Sequence, residues 1–325
     1  MQTNALGWTG LQLSRLGLGT WAMGGGGWQF GWGPQDSQES IRTIYRALDL
    51  GINWIDTAPA YGLGQAESVI GTALKGMAQR PLLATKCGRS WDAQGRLVPA
   101  LNADVVRAEL EASLRRLQTE TIDLYQIHWP QPATDVPEAW GVIAEAIQAG
   151  KVRYAGVSNF SVPQLEALAG TPRLASLQPP YSLLDREVER RLLPYCHAHQ
   201  LGVVSYSPLQ KGLLTGAFSR ERLAQLPADD HRHRDPRFQE PLLSAHLALV
   251  EDLAAVARPR GRTVAQLAIA WVRRRPEVTS VIVGARQPAQ LEATVAAAEC
   301  TLAPAELAAI EQALDARLAG PGRRD

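Results

Sequence analysis

The sequence predicts an α/β fold, a single closed (β/α)8 TIM barrel over residues 1–325. Short apolar runs alternate with segments of helical period along almost the whole chain, which predicts a parallel sheet with right-handed crossovers. Eight such units in 325 residues favour a closed barrel over the alternative, a doubly wound open sheet. Because no linker, repeat or low-complexity segment interrupts this pattern, we expect one domain.

The eight barrel strands are predicted from apolar runs that each end in polar or glycine-rich residues. They cover residues 16–20, 52–55, 82–85, 122–127, 152–157, 175–178, 203–206 and 280–283.

The intervening helices are predicted from helical periodicity and from capping residues. Asp36 or Ser37 can cap the first helix and Thr263 the seventh, and Ser161 with Gln164 forms a capping-box pattern. The helices are expected to begin near Ser37, Ala66, Ala103, Val136, Val162, Arg186, Thr263 and Pro288.

Three segments fall outside the eightfold repeat. Residues 5–16 contain a glycine turn and predict a small N-terminal hairpin that closes the barrel floor. Residues 242–256 and 303–318 predict two extra helices.

The composition indicates an ordinary globular enzyme, with 46% hydrophobic and 20% charged residues. A formal net charge of +1 without a basic stretch argues against a nucleic-acid partner. No secretory signal and no membrane-spanning run is recognised. Cys87, Cys196 and Cys300 have neither disulfide-framework nor metal-ligand spacing, so we expect a cytoplasmic protein without a metal site.

One glycine motif imitates a Rossmann dinucleotide site. Residues 17–22 match G-x-G-x-x-A, a pattern that works only if its last residue opens a helix. Four glycines follow at 24–27, and such a run opposes a helix. We therefore interpret the segment as a loop over the barrel mouth.

Ionisable residues directly follow three consecutive strands: Asp56, Lys86 and His128. Taken singly, each has an ordinary interpretation, as a helix cap, a solvated rim charge and a structural histidine. Together they would converge at the carboxyl-terminal mouth of the barrel, where active sites of this fold lie. Such clusters of buried ionisable groups often mark a functional site.

With Tyr61, these residues suit proton donation to a carbonyl group. A free tyrosine has a pKa near ~10, and we expect the Lys86 ammonium to lower it. Asp56 would keep the lysine charged, and His128 would orient the carbonyl oxygen.

Seven motifs, in one order, resemble the aldo-keto reductase family, in particular bacterial general-stress reductases and reductases encoded near inositol-catabolism genes. The motifs are INWIDTAPAYG (52–62), ATKCG (84–88), LYQIHWP (124–130), GKVRYAGVSNF (150–160), LQPPYS (177–182), SYSPL (205–209) and VIVGAR (281–286).

The resemblance implies reduction of aldehydes or ketones by NADPH, with Asp56, Tyr61, Lys86 and His128 as catalytic residues and Tyr61 as the proton donor. It also implies a cofactor that lies across the barrel mouth. The expected cofactor-binding residues are Thr20, Trp21, Asp56, Ser158, Asn159, Gln178, Tyr206, Ser207, Pro208, Leu209, Lys211, Gly212, Leu213, Gly284, Arg286 and Gln290.

Two positions depart from the family pattern. Ala293 and Thr294 stand where the family commonly has Glu-Asn near the adenine, so the adenine contacts are open. The resemblance also implies that Trp21 and Trp129 line a substrate pocket, although both could simply seal the barrel top.

Two other functions stay open from the sequence. Lys86 could be the nucleophile of a Schiff-base aldolase. The chain could also be a cofactor-binding regulatory subunit with little turnover. The physiological substrate, the direction of the reaction and the oligomeric state are not predicted.

Overall fold

The fold is a closed barrel of eight parallel strands, as the sequence predicts. The computed structural model describes residues 1–168, 170 and 172–318. Within these residues, the barrel is closed because its first strand, 16–19, pairs with its last strand, 278–284. None of the described helices is both long and apolar enough to cross a membrane.

The strands include two short antiparallel hairpins besides the barrel. The first hairpin is formed by β1 and β2 and the second by β6 and β7, and the other eight strands form the barrel. The strands are β1 (Thr3–Ala5), β2 (Gln12–Ser14), β3 (Leu16–Gly19), β4 (Trp54–Asp56), β5 (Leu82–Cys87), β6 (Arg89–Trp91), β7 (Leu97–Pro99), β8 (Ile122–Ile127), β9 (Val152–Ser158), β10 (Ser176–Gln178), β11 (Gly202–Ser205) and β12 (Val278–Gly284).

The helices surround the barrel, and both extra helices are confirmed. Asp36 caps the first helix by accepting from the backbone N–H of Gln38 at 2.6 Å. The helices are α1 (Ser37–Asp49), α2 (Gln65–Leu74), α3 (Ala103–Leu117), α4 (Val136–Gln148), α5 (Val162–Glu166), α6 (Leu192–Ala198), α7 (Arg220–Ala224), α8 (Leu242–Ala257), α9 (Val264–Arg273), α10 (Pro288–Val295) and α11 (Pro304–Leu318).

The N-terminal hairpin closes the barrel floor, as predicted. Leu11 and Leu13 are buried in one apolar cluster with Trp54, Leu124 and Val204 of the barrel strands. Because side chains alternate along a strand, the neighbours of these inward residues face the helices instead and form the larger core. The floor of the barrel is therefore largely apolar.

Two predictions about elements were wrong or incomplete. The helix expected near Arg186 begins at Leu192, and a short 3-10 turn, Glu187–Glu189, precedes it. The β6–β7 hairpin was not predicted, because its strands have three residues each and carry little apolar alternation. This hairpin extends from the end of β5 at the barrel mouth.

Candidate active site

The carboxyl-terminal mouth of the barrel holds a cavity of about 1240 Å³. Its wall includes Asp56, Tyr61 and His128, which follow β4 and β8, together with residues that follow β9 to β12. Asp56, Tyr61 and His128 thus share one cavity, because the strands that lead to them are parallel and end at the same face.

Lys86 forms the centre of a buried polar network. Its Nζ donates to both carboxylate oxygens of Asp56 at 2.8 Å and to the backbone oxygen of Thr57 at 2.9 Å. The lysine side chain is fully buried, and burial lowers its pKa while Asp56 opposes that change. The Asp56 carboxylate also accepts from Gln178 Nε2 at 2.7 Å, so the ion pair is held from two sides.

Tyr61 is held with its hydroxyl oxygen 3.3 Å from Lys86 Nζ. The expectation that Lys86 lowers the tyrosine pKa was wrong. Burial raises the pKa of Tyr61 well above its ordinary value, and the Asp56 carboxylate raises it further. The physical reason is that Asp56 balances the lysine charge at hydrogen-bond distance, so burial dominates. The phenol is consequently protonated at neutral pH.

His128 faces Tyr61 across the cavity, with ring centroids 5.9 Å apart in an edge arrangement. Burial lowers its pKa well below the ordinary value, and the positive charges of Lys86 and Arg89 lower it further. The imidazole is therefore neutral at pH 7 and carries one ring N–H. Its Nδ1 is buried and has no hydrogen-bond partner among the residues that the structure describes.

A second hydrogen-bonded group connects the ends of β9, β10 and β11. Ser158 Oγ donates to the backbone oxygen of Gln178 at 2.8 Å. Asn159 donates to the backbone oxygen of His128 at 3.0 Å and accepts from the Tyr206 hydroxyl at 2.7 Å. These four expected cofactor residues lie together, although the side-chain amide of Gln178 is directed at Asp56.

The loop after β11 forms another part of the cavity wall. Most of the residues expected to bind a cofactor there do line the cavity: Ser207, Pro208, Leu209, Lys211 and Gly212. Leu213 does not, because its side chain is fully buried in an apolar cluster with Phe218 and Phe238. The expected role of Leu213 in cofactor binding stays a prediction, and its buried side chain leaves only its backbone for such a contact.

Arg286, after β12, lines the cavity and holds the loop that precedes α1. Its Nε donates to Gln35 Oε1 at 2.7 Å and its Nη1 to the backbone oxygen of Trp32 at 2.9 Å. Its Nη2 donates to the backbone oxygen of Pro34. In the first turn of α10, Gln290 accepts from the Arg286 backbone N–H at 2.7 Å. Thr20, Trp21, Gly284 and Gln290 line the cavity as well.

The charge-rich segment 231–235 packs against aromatic residues of the cavity wall. His231 and Arg232 are both buried. The His231 ring packs on Trp21 at 5.0 Å and on Trp32 at 4.8 Å, and the Arg232 guanidinium lies 4.6 Å from the Trp32 ring centroid. The glycine-rich loop is thereby packed against one edge of the cavity.

Residues 15–315 match the model of the aldo/keto reductase family. The chain belongs to the aldo/keto reductase family. The family is the one that the seven motifs resemble, and the glycine motif at 17–22 precedes a short 3-10 turn, Trp21–Gly24, in a barrel without a Rossmann fold.

The relatives of this aldo/keto reductase are bacterial oxidoreductases. The chain is 43% identical to aldo-keto reductase YhdN of Bacillus subtilis, over 90% of this chain and 87% of the relative. It is 34% identical to a protein of Escherichia coli named NADH-specific methylglyoxal reductase, over 97% and 99%. The glycerol dehydrogenase AKR11B4 of Gluconobacter oxydans has a similar structure, with a TM-score of 0.89 and 37% identity over 100% of this chain and 98% of that one.

The geometry of this aldo/keto reductase argues against the Schiff-base alternative. A nucleophilic lysine must reach the substrate as a free amine, whereas the three N–H groups of the Lys86 ammonium are shared among four acceptor atoms of Asp56, Thr57 and Tyr61. The side chain is fully buried and does not line the cavity.

Several cavity residues of this aldo/keto reductase were not among the sequence-predicted site residues. Arg89, Leu97 and Pro99 belong to the second hairpin, and Arg232 comes from the segment 231–235. The signal that could have identified Arg89 is its position three residues after Lys86, immediately beyond a strand end.

Proposed function

We propose that this protein reduces the carbonyl group of small aldehydes or ketones with NADPH as hydride donor and Tyr61 as proton donor. The observation that carries the proposal is the hydrogen-bonded row Asp56–Lys86–Tyr61, which ends beside His128 at a cavity. In this row, Tyr61 can supply a proton, and Lys86 can stabilise the negative charge that remains on the phenolate.

Tyr61 fits the role of acid because its raised pKa keeps the phenol protonated until a stronger base forms. A carbonyl that gains hydride becomes an alkoxide, which takes the phenolic proton. The phenolate that results lies 3.3 Å from the Lys86 ammonium, in a buried setting where opposite charges interact strongly. The stabilisation grows as the proton leaves, so it favours the transition state over the bound substrate.

Asp56 balances the charge of Lys86, and His128 positions the substrate carbonyl group. The Asp56 carboxylate fixes the Lys86 ammonium and offsets the cost of burying it. Neutral His128 has one N–H that can donate to the carbonyl oxygen and hold it near the Tyr61 hydroxyl.

The cavity fits a dinucleotide. It extends continuously from Tyr61 to Gln290, and its wall includes the cationic residues Lys211, Arg232 and Arg286. Lys211 and Arg232 are each paired with an aspartate at 2.7 Å. The first turn of α10, after Gln287, offers backbone N–H groups of the kind that bind phosphate. When bound, the nicotinamide supplies the hydride. We propose that Ser158, Asn159 and Gln178 hold its carboxamide and that Tyr206 stacks against its ring.

We propose NADPH over NADH because of Arg286. This arginine forms no ion pair within the described residues, and its partners are neutral oxygens that a phosphate could replace. The acidic residues on the same wall are already engaged, Asp36 in capping α1 and Glu39 with Arg42. These carboxylates are therefore not available to bind the ribose hydroxyl groups, a contact that would favour NADH.

The test is the variant Tyr61→Phe. Its rate of aldehyde reduction is measured from the decrease in NADPH absorbance with a panel of aldehydes. We expect turnover to fall by about 10²- to 10⁴-fold, the usual contribution of a general acid, with little change in NADPH affinity. Tyr45→Phe is the matched control, because Tyr45 lies on α1 and is exposed. A variant that keeps more than about a tenth of the wild-type rate would contradict the assignment of Tyr61. Wild-type protein that binds NADPH but reduces none of the aldehydes would support the regulatory-subunit alternative.

A further inference from the structure

Arg89 is a charged residue of the cavity that the proposed chemistry does not use. Its side chain is half-buried and lines the cavity with His128 and Trp129. Its guanidinium lies 5.6 Å from the centroid of the Trp129 ring and donates to Gln131 Oε1 at 2.9 Å. No carboxylate of the described residues forms an ion pair with it. Arg89 therefore presents a positive charge to the cavity with only neutral partners.

A tight backbone turn after β5 positions Arg89 at the barrel mouth. Gly88 has a φ of +88°, a conformation that favours glycine, and its N–H donates to the buried Glu109 carboxylate at 2.7 Å. This turn leads directly into β6, where Arg89 pairs with Pro99 of β7. Paired residues share a face of the hairpin, and Pro99 and Leu97 also line the cavity. The hairpin thus presents an apolar face with one arginine in it.

The charge of Arg89 is not balanced at this end of the cavity. The Lys86 charge is balanced by Asp56 at 2.8 Å, and His128 is neutral because its pKa is lowered, in part by Arg89 itself. One net positive charge therefore remains beside the residues that would hold the substrate carbonyl. In a partly buried site this charge attracts an anion more strongly than it would in water.

The anion expected at Arg89 belongs to the substrate and not to the cofactor. In the barrel order β3, β4, β5, β8, β9, β10, β11, β12, the strand β5 is diametrically opposite β11. Arg89 extends from β5, whereas Lys211 follows β11 and Arg286 follows β12. The residues proposed to bind the cofactor phosphates therefore follow strands on the other side of the mouth.

We propose that Arg89 binds a carboxylate on the substrate, so that the preferred substrates are aldehydes or ketones that carry a carboxylate near the carbonyl group. The planar guanidinium suits a carboxylate because it can donate two parallel hydrogen bonds. Leu97 and Pro99 would contact an apolar spacer between the two groups. This assignment rests on the proposed carbonyl reduction and names its substrate class.

The experiment compares matched substrates that differ in one charge. The substrates are 3- and 4-formylbenzoate and the corresponding neutral formylbenzamides, each measured as kcat/KM at saturating NADPH. A charge-assisted hydrogen bond predicts that wild type prefers the carboxylate by roughly tenfold to 150-fold for at least one isomer. Arg89→Gln should remove this preference and leave the amide reaction nearly unchanged. Arg89→Lys should keep part of it, because the charge stays but the fork is lost.

Arg96→Gln is the matched control, since Arg96 lies in the same hairpin loop and is exposed, paired only with Asp92. It should leave the carboxylate preference intact. The proposal is overturned if wild type reduces carboxylate and amide equally, or if Arg89→Gln slows both substrates by the same factor, because Arg89 would then only support Trp129. If wild type reduces neither these aldehydes nor any other, carbonyl reduction itself is refuted, and the substrate class falls with it.

Discussion

Replacement of Lys86 by methionine separates the contribution of the buried ion pair to stability from its contribution to chemistry. Lys86→Met keeps the approximate length of the side chain but leaves the Asp56 carboxylate buried at 3% exposure without its cation. Asp56→Asn creates the reverse situation, a fully buried ammonium without its anion. The double variant Lys86→Met/Asp56→Asn removes both charges.

The magnitudes follow from the burial of the pair. Removing one partner of a buried ion pair costs about 3–5 kcal/mol, because the other charge is left uncompensated. We expect each single variant to lose this much stability. Replacing both charges by neutral groups is often close to neutral, so the double variant should be more stable than either single variant. The coupling energy of Lys86 and Asp56 would then be several kcal/mol.

The assays are urea unfolding and NADPH-dependent aldehyde reduction on the four proteins. Stability should recover in the double variant, whereas the rate should stay as low as in Lys86→Met, because the phenolate of Tyr61 lacks its ammonium in both. Stability losses that simply add would show that the pair is not coupled. A recovered rate in the double variant would show that Lys86 only maintains the fold.

Two further variants test other parts of the site and its support. Arg286→Ala should weaken NADPH binding by roughly tenfold to 150-fold and leave NADH almost unchanged, as measured by titration with both cofactors, and equal losses would contradict a role in reading the 2′-phosphate. Burial raises the pKa of Glu109 to about 7 from 4.5, so the folded state holds this proton more tightly than the unfolded state and loses stability as pH rises between those values. Glu109→Gln should remove about 2.5 kcal/mol of stability loss between pH 5 and pH 8 in urea unfolding, and identical pH dependence in both proteins would refute the raised pKa.

The proposed catalytic group was largely predictable from the sequence. Asp56, Lys86 and His128 lie at or next to the carboxyl ends of three strands, and the parallel arrangement that the alternation implies is enough to bring strand ends to one mouth. The strand at 122–127 was predicted with the observed bounds, because its apolar run is long and ends at a polar residue. Short elements with little periodicity, such as the hairpin that carries Arg89, gave no comparable signal.

The sequence by itself determined the barrel, its floor hairpin, the two extra helices and the residues that end the strands, since all of these follow from local periodicity, capping and topology. The tertiary structure alone decided the charge state of Tyr61 and the surroundings of Arg89, Leu213 and His231. A pKa depends on burial and on the distance to each charge, and Asp56 lies 2.8 Å from Lys86 across two strands. Such distances are set by packing between segments far apart in the chain, which no local pattern encodes.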